Sequence, residues 1–362
     1  MKRVLDFVWP VLGLVAVVIS VWLLYREFRG QSVGPEVWEH VKSISPAHYF
    51  FAILSTLVAY AALAWYDRIA LLHLGVKHIS WIFISLCSFT TYALAHNIGA
   101  TVFSGGVVRY RAYSTKGLNA EQVALLVAIC SLTFFLGVIL LGGLISVFEP
   151  EQLARFSGLM SGLELGWVGG KLRDILQYAT DAAAARTIGV VFLSLIAIYV
   201  AGSVFKFKPL VIRGFVLEYP HPEIVLRQLI AAPLELLGAA GIIYFALPEV
   251  GNPGYFVVLG VFLASFSAAL ASNAPGGLGV LELFFINAMP ATPKVEVLAA
   301  LLVFRLFYLL IPLLISIVIV ILFERSKLEE VLHHEEHPPL GQGALAGPDA
   351  EKKDDQKRIS SF

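Results

Sequence analysis

Seven stretches of this chain are almost unbroken runs of apolar residues: Val11–Leu24, Phe50–Tyr66, Val123–Phe148, Thr187–Phe205, Ile224–Leu247, Tyr255–Ala271 and Val295–Phe323. A helix rising ~1.5 Å per residue needs about 20 residues to cross a hydrocarbon layer ~30 Å thick, and several of these runs reach that length. Lipid offers no partner to an unpaired peptide group, so a single spanning segment must be a helix. Hydrophobic residues make up 58% of the chain and charged residues only 14%, against roughly 25% charged in globular domains. The expectation is an all-α polytopic membrane protein. Residues 1–323 form the membrane domain, and 324–362, charged and poor in apolar residues, form a disordered cytoplasmic tail.

The 362 residues carry 26 basic and 26 acidic side chains. That balance excludes a general nucleic-acid surface. Cys87 and Cys130 both sit in apolar segments, where free cysteine acts as a small hydrophobe. Met1-Lys2-Arg3 followed by an apolar run imitates a signal peptide. The run ends at Tyr25-Arg26-Glu27 without a small-residue cleavage site, so a retained first helix is expected.

Lysine and arginine in short loops favour the cytoplasm. Lys2 and Arg3 place the N-terminus there, and the tail places the C-terminus there. Two basic loops conflict: Asp67–His78 with Arg68 and Lys77, and the segment with Arg109, Arg111 and Lys116. Both need the cytoplasmic side, yet one span between them would separate them. The conflict disappears if Ile79–Gly106 enters, turns near Ala95–Gly99 and leaves on the same side. A later basic group, Lys206, Lys208, Arg213 and Arg227, is also cytoplasmic, while Leu247–Gly254 has no basic residue and lies outside. Tyr255–Met289 must then enter and leave from the outer face, turning at Asn273–Gly279. The result is about six full spans plus two re-entrant broken helices; the alternative is eight plain spans. Residues 149–185 read as an external cover with an interfacial helix, and Asp67 and Arg68 as interface residues at a span end.

The two breaks resemble one another. Ser88-Phe89-Thr90 leads through Ala95-His96-Asn97 to Gly99, and Ser265-Phe266-Ser267 leads through Ala271-Ser272-Asn273 to Gly276. Interrupted helices entering from opposite faces are what an inverted repeat produces.

Three groups of residues could carry chemistry. The first is His96, Asn97, Gly99, Gly105, Gly106, Arg109 and Arg111: glycines that let backbone approach a ligand, beside guanidinium forks suited to phosphate. The second is Asn273, Pro275, Gly276, Gly277, Gly279 and Glu282; Glu282 falls in the first turn of a new helix, where it can cap or bind. The third is an intramembrane charge pair. Arg305 and Glu235 lie within apolar spans, where a charge costs ~2.5–3.5 kcal/mol on insertion scales and is expected to pair. Glu282 and Glu235 are both candidate partners for Arg305. His333, His334 and His337 fit a tail better than a metal site. No Ser-His-Asp order, phosphate-binding glycine loop or zinc motif is present. The sequence therefore predicts no cofactor, no metal and no enzymatic activity.

The run His96-Asn97-Ile98-Gly99 through Gly105-Gly106-Val107-Val108-Arg109-Tyr110-Arg111, followed far downstream by Pro275-Gly276-Gly277-Leu278-Gly279-Val280-Leu281-Glu282, resembles the lysylphosphatidylglycerol synthase transmembrane family. That family includes the UPF0104 group of bacterial inner-membrane proteins and the flippase half of MprF-type proteins. The likeness spans roughly Trp9 to Phe323. It implies an inner-membrane location and a membrane lipid, with an anionic headgroup, as partner. In bifunctional members a cytosolic domain makes aminoacylated phosphatidylglycerol and the membrane region moves it between leaflets. Only about 39 residues follow Phe323, so the resemblance implies translocation without synthesis. The alternative is a scaffold that presents lipid or organises an enzyme complex; a homo-oligomer or a partner enzyme is left open.

Overall fold

The computed structural model describes residues 34–99, 101–154, 181–207, 210–212, 215–217, 219–272 and 275–336. The expected first span, Asn273, His337 and most of the 149–185 cover lie outside them. Among the described residues, five helices are long and apolar enough to cross a membrane: Pro46–His73, Ala120–Phe148, Ala182–Val204, Pro222–Ala246 and Lys294–Arg325. The protein is an all-α polytopic membrane protein.

In chain order the helices are α1 (Gly34–Ser43), α2 (Pro46–His73), α3 (Trp81–Ile98), α4 (Thr101–Ser114), α5 (Ala120–Phe148), the single turn α6 (Glu151–Ala154) and α7 (Ala182–Val204). A small antiparallel hairpin follows, β1 (Leu210–Ile212) paired with β2 (Phe215–Leu217). Then come α8 (Pro222–Ala246), α9 (Tyr255–Ser272), α10 (Val280–Ala288), α11 (Lys294–Phe304) and α12 (Ile311–Glu336). The last two are one helix interrupted by a π-helical turn, Arg305–Leu310.

Local signals explain the boundaries. Ser45 and Ser80 cap α2 and α3 with their hydroxyls, and Pro46 opens α2 where its missing amide costs nothing. Asn119 and Gln122 form a reciprocal capping box at α5. The expected tail boundary at 323/324 does not mark the end of a helix: α12 runs through it to Glu336.

The broken helices are hairpins that return to where they began. For α3–α4, the Phe83 and Tyr113 rings meet at 6.0 Å and His78 Nε2 lies 3.3 Å from the Lys116 carbonyl. For α9–α10, the Thr292 hydroxyl lies 3.5 Å from the Gly251 carbonyl. Neither pair of helices crosses the molecule, so eight plain spans are excluded. The mouths of the hairpins are at opposite ends. His48, at the start of α2, lies 3.4 Å from Glu249 at the mouth of α9–α10. The other end of α2, about 42 Å away along a 28-residue helix, leads into the α3–α4 mouth. Each hairpin sits between two spans: α2 and α5 for the first, α8 and α11–α12 for the second. The two units run in opposite directions.

Their contact is made through small residues. A Cβ on Gly238 of α8 would lie 2.8 Å from the Ser55 carbonyl oxygen and 2.9 Å from the Ala59 amide nitrogen of α2. Backbones this close are possible only where one helix has no side chain, which is how membrane helices pack without a hydrophobic driving force.

Candidate functional site

The tips of the hairpins meet in the middle of the bundle, against the π turn. The π turn has its cause in the sequence. Pro312 has no amide hydrogen, so the carbonyl of Tyr308 four residues earlier loses its helical donor. The Tyr60 hydroxyl donates to that carbonyl at 2.9 Å, and Asn97 Nδ2 donates to the neighbouring Leu309 carbonyl at 3.1 Å. Asn97, a candidate binding residue, thus anchors the first tip to the last span. His96 lies beside it, with its ring stacked on Tyr308 at 5.5 Å and edge-on to Phe266 of the second hairpin at 5.9 Å. The Nδ1 atom of His96 is buried and makes no hydrogen bond among the described residues.

Glycine does different work at different positions. Gly99 (φ 82°, ψ −176°) occupies backbone space that only glycine enters without strain, and it breaks α3. Gly105 and Gly106, candidate binding residues, lie inside α4. A Cβ at Gly105 would come within 3.2 Å of Thr91, so this glycine lets α4 lie flat on α3. In the second hairpin Gly276, Gly277 and Gly279 all have positive φ, and with Pro275 they form the turn between α9 and α10.

Three buried charge clusters surround the tips. In the first, Arg109 donates to both carboxylate oxygens of Asp67, at 3.2, 3.2 and 2.7 Å. The Tyr113 hydroxyl donates to the same carboxylate at 2.9 Å, and the Arg109 guanidinium lies 4.8 Å from the centre of the Tyr92 ring. Asp67 is fully buried. It is not the interface residue the sequence suggested, because α2 continues six residues beyond it to His73. Arg109 is therefore already neutralised and enclosed.

In the second cluster, Arg305 donates to Glu282 at 2.6 and 3.1 Å and to the Gly276 carbonyl at 2.8 Å. Glu282 also accepts from the Gly279 amide at 2.9 Å. The pair thus satisfies groups freed on both sides of the break, so capping and charge pairing are one arrangement. Of the two candidate partners for Arg305, Glu282 pairs with it and Glu235 does not. Arg305 lies one turn before Tyr308 and faces the second hairpin's break, where Glu282 is closer. Glu235 makes the third cluster, accepting from Tyr308 at 2.7 Å and at longer range from Tyr66 at 3.5 Å. It has no cation partner among the described residues, although it is buried.

Arg111 differs from Arg109. It makes a two-pronged pair with Glu324, at 2.7 and 2.6 Å, and about a third of its side chain is exposed. Glu324 was assigned to the tail; it belongs to the folded body. The tyrosines, Asp67 and Glu324 were not expected at the site. Asp67 carried a usable signal, a carboxylate inside an apolar run like Glu235. The tyrosines carried none, since a membrane tyrosine reads equally well as an interface residue.

No family model matches the chain. It is 30% identical to the inner membrane protein YbhN of Escherichia coli K12 over 310 residues, covering 84% of this chain and 89% of that protein. It is 31% identical to the uncharacterized protein slr0712 of Synechocystis over 269 residues, covering 73% of this chain and 74% of that one. A shorter match, 29% over 93 residues, reaches the phosphatidylglycerol lysyltransferase of Staphylococcus haemolyticus, taking in 25% of this chain and 11% of the enzyme. The chain belongs to the same family as YbhN and slr0712 and is a multi-pass inner-membrane protein.

Proposed function

We propose that this protein moves an anionic lipid headgroup between leaflets, as a translocase without enzymatic activity. The observation that carries the reading is the meeting of two oppositely entering hairpins at a buried cluster of ionisable side chains. Re-entrant backbone at membrane depth is tolerated where it is enclosed by protein or lines a polar cavity, and transporters use paired broken helices to build midplane sites. The short match to a phosphatidylglycerol lysyltransferase agrees with a phospholipid as cargo. Arg68, Lys77, Arg111, Lys116, Lys206 and Arg227 gather at the α3–α4 mouth and its neighbouring helix ends, whereas Glu36, Glu39, Glu149, Glu151, Asp181, Glu249 and Glu296 belong to the opposite end. The positive-inside rule makes the first end cytoplasmic. Both termini would then lie in the cytoplasm.

The test is transbilayer movement of fluorescent lipids in proteoliposomes, read by quenching from the outside. Phosphatidylglycerol should equilibrate faster with protein than in empty vesicles, and Glu235→Leu should slow it. Unchanged rates across anionic and glycosylated lipids would favour a lipid-presenting scaffold.

A further inference from the structure

Outside the central clusters lies an apolar groove between α3, α4 and α12, with a cavity of about 340 Å³. Leu86, Val108, Ala112, Val320 and Phe323 form its walls, and at its end stand Arg111 and Glu324. Leu86 and the neighbouring Leu322 are exposed, so the groove opens sideways, toward lipid. Thr90 also lines it, with its hydroxyl buried and without a hydrogen-bond partner among the described residues.

We infer that this groove is a loading site for one anionic phospholipid, with an acyl chain in the groove and its phosphate on Arg111 in place of Glu324. Charge complementarity selects this occupant. Among the residues that line the groove the only cation is the Arg111 guanidinium, and a phosphate presents the same pair of oxygens as the carboxylate it now holds. Arg109 cannot serve, being enclosed with Asp67. Arg111 is about a third exposed and Glu324 keeps 17% exposure, so this pair borders the outside, whereas Arg109 and Asp67 are sealed in protein. Arg111 belongs to the re-entrant hairpin and Glu324 to the last span; exchanging the carboxylate for a lipid phosphate would remove an ionic tie between them. The groove lies near the α3–α4 mouth, so lipid would load from that leaflet.

The proposal rests on the translocase reading only for the steps after binding, so binding is measured separately. The full chain, in nanodiscs of phosphatidylcholine doped with photoactivatable phosphatidylglycerol, is scored by lipid adducts on α3, α4 and α12. Arg111→Ala should lower phosphatidylglycerol labelling about tenfold, the scale of a lost charged hydrogen-bond pair. Glu324→Gln should raise it, because the competing carboxylate is gone; a purely structural ion pair would give no gain. Arg111→Lys should fall between wild type and alanine, and Val320→Trp, filling the groove, should lower labelling by any lipid. Soluble glycerol phosphate should not compete. The inference is overturned if Glu324→Gln labels no more than wild type, if phosphatidylcholine probes label as well as phosphatidylglycerol, or if glycerol phosphate competes. Labelling lost in Arg111→Ala with transport intact would overturn the loading site alone. Labelling intact, with no lipid moved by the wild type, would overturn translocation alone.

Discussion

At the scale of single residues, the buried charges divide by whether their partners can leave. Asp67 and Arg109 are sealed together, so removing one strands the other. Breaking a buried pair from one side costs about 3–5 kcal/mol, while replacing both members is often close to neutral. Arg109→Ala should therefore destabilise the protein by about that amount in detergent or bicelle unfolding. The double change Asp67→Asn/Arg109→Gln should recover most of the loss. A single variant as stable as wild type would mean that water reaches Asp67. Glycine offers a second comparison. At Gly277 (φ +65°) a Cβ would sit 2.8 Å from Leu281 and 3.1 Å from Ala269, whereas at Gly279 (φ +78°) it would meet nothing. Gly279→Ala should cost about 1 kcal/mol from backbone strain alone, and Gly277→Ala about 1–3 kcal/mol more from crowding. Thermal unfolding of the two variants side by side checks the order.

Among the elements, the π turn is the joint on which both hairpins close. Its displaced carbonyls take donors from Tyr60 and Asn97, and its side chains Arg305 and Tyr308 reach Glu282 and Glu235. π bulges recur at functional sites because they aim such groups off the regular helical face. Tyr60→Phe should cost about 1 kcal/mol, the net worth of one hydrogen bond. The α2–α8 crossing is less forgiving. At Gly238 the obstructing atoms are backbone, which cannot rotate away, so Gly238→Leu should separate the two units. It should reduce the yield of folded, monodisperse protein far more than Gly75→Leu at an open loop position, as judged by size-exclusion profiles. Much of the element pattern was legible beforehand, since apolar runs marked spans and Asn97-Ile98-Gly99 and Pro275-Gly276-Gly277 marked breaks. Gly105 and Gly106 show where that legibility stopped. A glycine that ends a helix and one that admits a neighbour look alike in sequence and differ only by what lies opposite.

For the whole molecule, the decisive geometry is that the hairpin mouths face opposite ways. In cells, Lys116→Cys should react with a membrane-impermeant maleimide only once the cytoplasmic face is exposed, and Lys294→Cys should react from outside. Cys87 and Cys130 are buried, so background labelling should be low. Both sites labelling from one face would remove the opposed-hairpin reading. Loop charge alone led to this arrangement, because basic side chains are expensive to carry across a membrane and so record which loops stay behind. What the sequence by itself determined was thus which segments enter the membrane and where two of them break; that the broken helices fold back rather than cross as plain spans was decided by the hairpin contacts. Partnership needed the tertiary structure. Arg305 with Glu282 rather than Glu235, Asp67 with Arg109, and Arg111 with Glu324 all join distant parts of the chain. The physical reason is that membrane burial requires each charge to be compensated but does not say by whom. Which carboxylate answers which guanidinium depends on helix rotation and crossing, set by close contacts such as Gly238 against Ser55.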